Sequence, residues 1–277
     1  MAEAPRSVVL NLFGDYLRYA AGEVKLGELT ELMQAFGIGP ATVRVSMSRL
    51  KNEGWFSTRK EGRQAVYMLS DHMAEVLNQG QQRIFRRRES SWTGRWTMVI
   101  YQVPESERMI RDQLRKQLAW LGFGQLSPST WLSPHDLTQE AKKLALRYES
   151  ARLDAFWCGS DDVAGARVLA GRCWDLDALG RDYQRFLSSY GHLDSEGCSI
   201  LEGKQALVER MRLTEGFRRF PFRDPELPDE LQPGSWPGPA AWRLFRRLHE
   251  RLGAEANTYV ESVIGRSLVT GDELKVM

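Results

Sequence analysis

Between Pro40 and Gln64 the sequence concentrates Arg44, Arg49, Lys51, Arg59, Lys60 and Arg63 against only Glu53 and Glu61, in a chain whose formal net charge is just +2. A local cluster of cations on a neutral protein is the electrostatic footprint of a polyanion contact rather than of general solubility. Within the cluster, Val43, Met47 and Leu50 recur at i, i+4, i+7 and form one apolar stripe. That stripe turns Ala41, Val45, Ser48, Arg49 and Asn52 outward, with Thr42 at the N-terminal edge and Arg44 and Lys51 on the flank. A small, polar face carrying one valine and one arginine suits base edges in a DNA groove. There an arginine pairs with guanine and a methyl-bearing side chain meets thymine. Arg44 and Lys51 would hold phosphates. The same spacing also fits a solvated amphipathic helix in another small helical domain.

A second cluster interleaves Phe217, Phe220 and Phe222 with Arg218, Arg219 and Arg223. Such a mixture can stack on an aromatic group while binding phosphates. The alternative is that the phenylalanines are core and the arginines pair with Asp224, Glu226, Asp229 or Glu230. Enzymatic signatures are missing. There is no G-x-S-x-G elbow and no H-E-x-x-H helix, and Gly37-Ile-Gly39 and Gly122-Phe-Gly124 lack the later glycine of a dinucleotide loop. Gly197 to Gly203-Lys204 has five residues between its glycines, not four, and Gln205 replaces the magnesium-binding hydroxyl of a phosphate loop. His72, His135, His192 and His249 are scattered, and Asp161-Asp162 reads as a helix start. Cys158, Cys173 and Cys198 lack C-x-x-C spacing and are expected to be reduced core residues, with no metal or cofactor.

The elements that must position the basic stretch follow from periodicity. Val9, Phe13, Tyr16 and Ala20 predict a helix over Ser7 to Ala20, ended by Gly22. A short extended stretch, Glu23 to Leu26, precedes a second helix marked by Leu29, Leu32, Met33 and Phe36 and stopped by Gly37 and Gly39. Pro40 then opens a third helix to about Glu53, because a first helical position loses nothing by lacking an N–H. Trp55 to Arg59 and Arg63 to Leu69 read as strands joined by Lys60-Glu61-Gly62, with Gly62 supplying a positive φ. Three helices followed by a hairpin with a basic tip of Arg59, Lys60 and Arg63 is the order of a winged helix-turn-helix. The wing lies along a neighbouring groove or backbone. Ser70 can cap a helix to about Phe85, and Arg86-Arg87-Arg88 either closes it against the helix dipole or touches DNA.

This run resembles the N-terminal domain of the PaaX family, bacterial repressors of phenylacetic acid catabolism. The residues that carry the resemblance are Gly14-Asp15-Tyr16, Thr42-Val43-Arg44 through Ser48-Arg49-Leu50, Glu53-Gly54-Trp55, and Gly62-Arg63 with Tyr67 and Leu69-Ser70. Further on, Arg95 to Val103, Glu105 to Leu121, Gln125 to Leu132 and Leu153 to Cys158 alternate strand and helix as a ferredoxin-like α/β sandwich does. This segment is similar to a module shared by PaaX regulators and a CRISPR adaptation nuclease family. In the nucleases an aspartate ends the first strand, and here Tyr101-Gln102-Val103 stands in that place. Arg218 to Leu231, followed by Trp236-Pro-Gly and Leu244-Phe245, resembles the C-terminal signature of the PaaX family.

The resemblance implies a transcriptional repressor that binds an inverted-repeat operator as a homodimer. It also implies release by an aryl-CoA effector, phenylacetyl-CoA being typical, with Phe217 to Arg223 as the candidate effector segment. The rival reading is a nucleic-acid-processing enzyme of the ferredoxin-like nuclease type with a winged targeting arm.

With 277 residues, 42% apolar and 27% charged, the chain has the make-up of a globular α+β protein of several domains. The expected division is a winged helix-turn-helix with its linker helix over 1–88, a ferredoxin-like domain over 89–175 and a helical domain over 176–277. The helical part is read as Leu176 to Tyr190, Leu201 to Phe220 and Ala240 to Ile264, around the proline-rich stretch from Pro221 to Pro239. Asp15 and Arg18 interrupt the N-terminal apolar run, and no stretch reaches the eighteen apolar residues of a membrane span. A cytoplasmic protein without membrane contact is expected.

Overall fold

A computed structural model describes residues 4–86, 91–148, 150–195 and 201–269. Arg87, Arg88, Gly197 and Cys198, which entered the sequence argument, lie outside the described residues. The described residues form a mixed α+β protein with two antiparallel sheets. It forms two compact units, neither continuous: residues 1–85, 189–217 and 242–277 make one, and residues 86–188 and 218–241 the other. The stretch 176–277 therefore contributes to both.

The first unit opens with α1 (Pro5–Asp15), a short 3-10 turn, β1 (Glu23–Lys25), α2 (Leu26–Gln34) and α3 (Pro40–Asn52). Then follow β2 (Phe56–Glu61), β3 (Gln64–Leu69) and α4 (Asp71–Phe85). The first helix stops at Asp15, where Tyr16 leaves helical geometry, earlier than the expected Ala20. The extended stretch after it becomes a third strand: β1 pairs with β3, giving the order β1-β3-β2. The hairpin also differs from expectation. Glu61 pairs with Gln64, so the turn is Gly62-Arg63 alone and Lys60 lies within β2 opposite Ala65. Gly62, at φ 59°, takes the first position of a two-residue turn, where a positive φ matches the twist of the strands. Ser70 caps α4 by accepting from Met73 N at 3.2 Å.

Two later helices, α9 (Gly203–Phe217) and α11 (Gly253–Ile264), share this core. Leu12, Phe13, Leu32, Met33, Val43, Met47 and Leu50 cluster with Leu207, Met211, Ala256 and Val260, all fully buried or nearly so. Glu215 on α9 accepts from Ser7 Oγ at 2.8 Å and from Asn11 Nδ2 at 3.0 Å on α1. Arg266 reaches Glu28 at 3.3 Å and donates to the Glu23 carbonyl at 2.5 Å. The single helix expected from Ala240 to Ile264 is two, α10 (Gly238–Arg251) and α11, broken at Leu252.

In the second unit, β4 (Arg95–Gln102), α5 (Arg108–Leu121), β5 (Gly124–Ser127), β6 (Thr130–Ser133), α6 (Thr138–Arg147) and β7 (Arg152–Gly159) build one sheet, order β5-β6-β4-β7. Alternation along β4 decides the faces. Val99 and Tyr101 pack on Leu114 and Leu118 of α5 and on Ala141 and Leu144 of α6. Trp96 points to the opposite face, into a cluster with Ala166 and Ala170 of α7 (Val163–Cys173) and with Leu227 and Leu231. Asp162 caps α7 by accepting from Gly165 N at 2.6 Å. The helix α8 (Leu176–Tyr190) carries Tyr183 and Phe186 against Phe220.

Candidate nucleic-acid interface

The third helix begins at Pro40, with extended Gly39 before it, and its buried stripe is Val43, Met47 and Leu50. With those three fixed inward, Ala41, Thr42, Arg44, Val45, Ser48, Arg49, Lys51 and Asn52 are all exposed. Val45 is 52% exposed, an apolar side chain held in water on a polar face. Arg59, Lys60 and Arg63 on the hairpin are exposed as well.

Ion pairing sharpens the electrostatics of this surface. Both acids of the basic stretch are engaged. Glu53 accepts from Arg6 at 2.7 Å, and Arg6 also sits over the Trp55 ring at 4.8 Å. Glu61 lies 2.8 Å from Lys25 and 2.7 Å from Arg59, and hydrogen bonds from both hold its carboxyl below the usual carboxylate range. Arg59 is bound further to Glu23 at 2.9 Å. Among the described residues, Arg44, Arg49, Lys51, Lys60 and Arg63 therefore make no ion pair. The sequence marked Arg59 as a backbone contact without showing that two carboxylates hold it. Arg6, Glu23 and Lys25, which set this balance, lie distant in sequence and gave no signal beyond their charge.

Residues 217–223 do not form one surface. Phe217 belongs to the first unit, where it is buried and stacks on Phe245 of α10 with centroids 4.2 Å apart and planes 5° from parallel. The rest belong to the second unit. There Phe220 is buried and stacks on Tyr183 at 4.0 Å, whose hydroxyl donates to Asp224 at 2.6 Å. Phe222 is exposed and stacks on Trp120 at 5.0 Å. Arg223 pairs with Asp182 at 2.5 Å, which holds that carboxyl low, and Arg219 is exposed.

Cys158 and Cys173 are free thiols, and burial raises both, Cys173 to about 11. Among the described residues no group of three His, Cys, Asp or Glu side chains could hold a metal ion, and no helix is long and apolar enough to cross a membrane.

An exposed polar helix face with unpaired cations beside it has the chemistry of a polyanion-binding surface. Comparison with known proteins places it in a family. Models described as PaaX-like protein, PaaX protein central Cas2-like domain and PaaX-like protein C-terminal domain match residues 4–73, 89–167 and 174–262. The chain belongs to the PaaX family. It is 29% identical over 263 residues to the transcriptional repressor PaaX of Escherichia coli (strain K12), covering 92% of this chain and 82% of that protein. The solved structure of the uncharacterized protein Rv0674 from Mycobacterium tuberculosis shares the fold with a TM-score of 0.66 at 23% identity, over 94% of this chain and 98% of that one.

Proposed function

We propose that this protein is a DNA-binding transcriptional repressor of aromatic acid catabolic genes of the phenylacetate type, acting in the cytoplasm rather than as an enzyme. The observation that carries the reading is the outward face of α3, small and polar, flanked by arginines and lysines that no described carboxylate neutralises. In this reading α2 and α3 are a helix-turn-helix and the β2–β3 hairpin is its wing. Ala41, Thr42, Val45, Ser48, Arg49 and Asn52 read bases, while Arg44, Lys51, Lys60 and Arg63 hold phosphates, with Arg59 available only if it exchanges Glu23 or Glu61 for a phosphate.

The β-α-β-β-α-β order of the second unit supports reading it as a ferredoxin-like module, and its open sheet face supports a homodimer. Met98 and Phe156 pair across β4 and β7, and Phe156 and the neighbouring Ile100 are 49% and 36% exposed. Apolar side chains side by side in water favour burial against a second copy. A twofold dimer places two recognition helices in successive major grooves about 34 Å apart, or a multiple of it, on an inverted repeat. Release follows when an aryl-CoA effector such as phenylacetyl-CoA binds better to a form in which the two helices are misplaced. Phe217 to Arg223 remain the candidate effector segment, with Arg219, Phe222 and the Asp182-paired Arg223 its exposed members.

The test is a gel-shift on DNA upstream of the protein's own gene, with and without a panel of acyl- and aryl-CoA thioesters. A discrete shifted complex dissolved by one of them supports the reading. Metal-dependent cleavage of that DNA would overturn it in favour of the nuclease alternative, for which the end of β4 at Tyr101 and Gln102 offers no carboxylate.

A further inference from the structure

The first unit contains a cleft of about 470 Å³. Its wall comes from the end of α1 and the turn after it (Asp15, Tyr19), from α4 (Gln81, Phe85) and from α9, α10 and α11 (Arg210, Arg246, His249). The volume falls in the range of small-molecule sites. None of the DNA-contact or effector candidates named from the sequence lines it, although Asp15 and His249 do.

Among the described residues, two hydrogen-bond donors on this wall lack a well-formed acceptor. Arg210 spends Nε on the His249 carbonyl at 3.0 Å and Nη2 on His249 Nδ1 at 3.4 Å, and its guanidinium sits 5.2 Å from the Tyr16 ring. Among the described residues its Nη1 is buried with no hydrogen bond of normal geometry. The buried Tyr16 hydroxyl, whose pKa burial raises to about 12 and Arg210 partly offsets, is the nearest group it could use. Because Arg210 can only donate, Nδ1 of His249 accepts, so the imidazole proton sits on Nε2. That Nε2 is also buried without a partner among the described residues. Burial, then the nearby Arg210 and Arg246 charges, keep the His249 ring neutral. A buried donor without an acceptor is costly, and a native fold retains one chiefly where something else supplies the acceptor.

The remaining surface is aromatic. Phe85 packs on the His249 ring at 4.9 Å and on Phe245 at 5.5 Å, and Phe245 stacks in turn on Phe217. Ala254 leaves the rim open. The carboxylates Asp15 and Glu250 balance Arg210 and Arg246 on the wall, so the two unsatisfied donors, rather than net charge, orient a ligand.

We propose that this cleft binds a small ligand through an anionic oxygen group, carboxylate or phosphate, accepted by Arg210 Nη1 and His249 Nε2, with a flat apolar part against Phe85. The ligand belongs to the first unit, within the same core that supports α3, so its binding energy acts on the body that carries the DNA-facing helix. Only the regulatory consequence rests on the repressor reading. Binding itself does not.

Calorimetric titration of the full chain tests it, with phenylacetate, coenzyme A and phenylacetyl-CoA as separate probes. Binding of phenylacetate alone assigns the donors to a carboxylate, and binding of coenzyme A alone assigns them to a phosphate. No binding of any probe overturns the proposal. Arg210→Met and His249→Leu are each expected to weaken the bound probe about tenfold or more, the loss of one charge-assisted or buried hydrogen bond. Because Arg210 also packs on Tyr16, Ala254→Trp is the second variant. It fills the rim without removing a side-chain hydrogen bond and should abolish binding while the unfolding temperature stays near the parent's. If these variants bind like the parent while Arg219→Ala does not, the site lies in the 218–223 segment and the cleft is refuted. Gel-shift of the same variants keeps the two failures apart: a protein that binds probe in the cleft yet never binds DNA refutes the repressor reading alone.

Discussion

At the scale of single residues, exposure and pairing assign different tasks to similar side chains. Arg49 projects from the α3 face without an ion pair among the described residues, so replacing it by alanine removes a candidate base contact. Arg49→Ala is expected to cost about 1–3 kcal/mol of operator binding and relax base preference at one position. Lys60→Ala should weaken all sequences alike and lower the slope of log affinity against log salt by about one. Fluorescence anisotropy at several salt concentrations, on operator and scrambled duplexes, separates the two outcomes. His249 gives a residue-scale prediction in pH. Its folded form resists protonation, so the unfolded chain binds the proton more tightly. The associated stability is full above the ordinary histidine pKa, about 6.5, and declines as pH falls below it, by at most about 1.4 kcal/mol per pH unit. In His249→Leu the unfolding free energy measured between pH 7 and pH 5 should fall less steeply than in the parent.

At the scale of elements, close approach is the controlling physics. Gly124 opens β5, and a Cβ there would stand 2.4 Å from Trp174 Cε2 and 2.7 Å from Cys173 Cβ. Those neighbours belong to the end of α7 and the residue after it, so α7 can lie against the strand only because Gly124 has no side chain. Gly124→Ala is expected to destabilise the protein by about 1–3 kcal/mol, the usual cost of overpacking, read as a lower denaturant midpoint. Gly62 is the contrasting case. A Cβ there meets nothing within 4 Å, yet φ is 59°. Gly62→Ala should cost about 1–2 kcal/mol from backbone strain alone and leave unfolding of the second unit unchanged.

At the scale of the whole molecule, the half-covered sheet face is the surface on which the proposed homodimer would assemble. Ile100 and Phe156 lie on the face that carries Trp96, but beyond the part that α7 and Leu231 cover. Ile100→Glu combined with Phe156→Glu is expected to yield a folded monomer in sedimentation equilibrium. Its affinity for an inverted repeat should fall toward that for a half-site. A mutant that stays dimeric would move the interface elsewhere.

Local rules explain how much of this was legible in the sequence. The buried stripe Val43, Met47, Leu50 and the exposed remainder of α3 follow from a 3.6-residue period, and Ser70 and Asp162 cap helices as their side chains allow. Element ends were less legible. The helix that stops at Asp15 and the break at Leu252 interrupt continuous apolar patterns because packing and backbone hydrogen bonding compete there with propensity. The hairpin turn is Gly62-Arg63 alone because Glu61 pairs with Gln64 across the strands, and Glu61 also meets Lys25, 36 residues away in sequence.

By itself, then, the sequence determined the amphipathic faces, the caps, the concentration of cations and the family signatures, all set by residues within a few turns of one another. Only the tertiary structure decided which cations stay unpaired, since Arg6, Glu23 and Lys25 reach the basic stretch across the fold. It alone divided residues 217–223 between two units and brought α9 and α11 into the core beneath α3. Apolar periodicity says that a face must be buried, but not against which partner, and a cleft such as that around Arg210 and His249 exists only where distant helices meet.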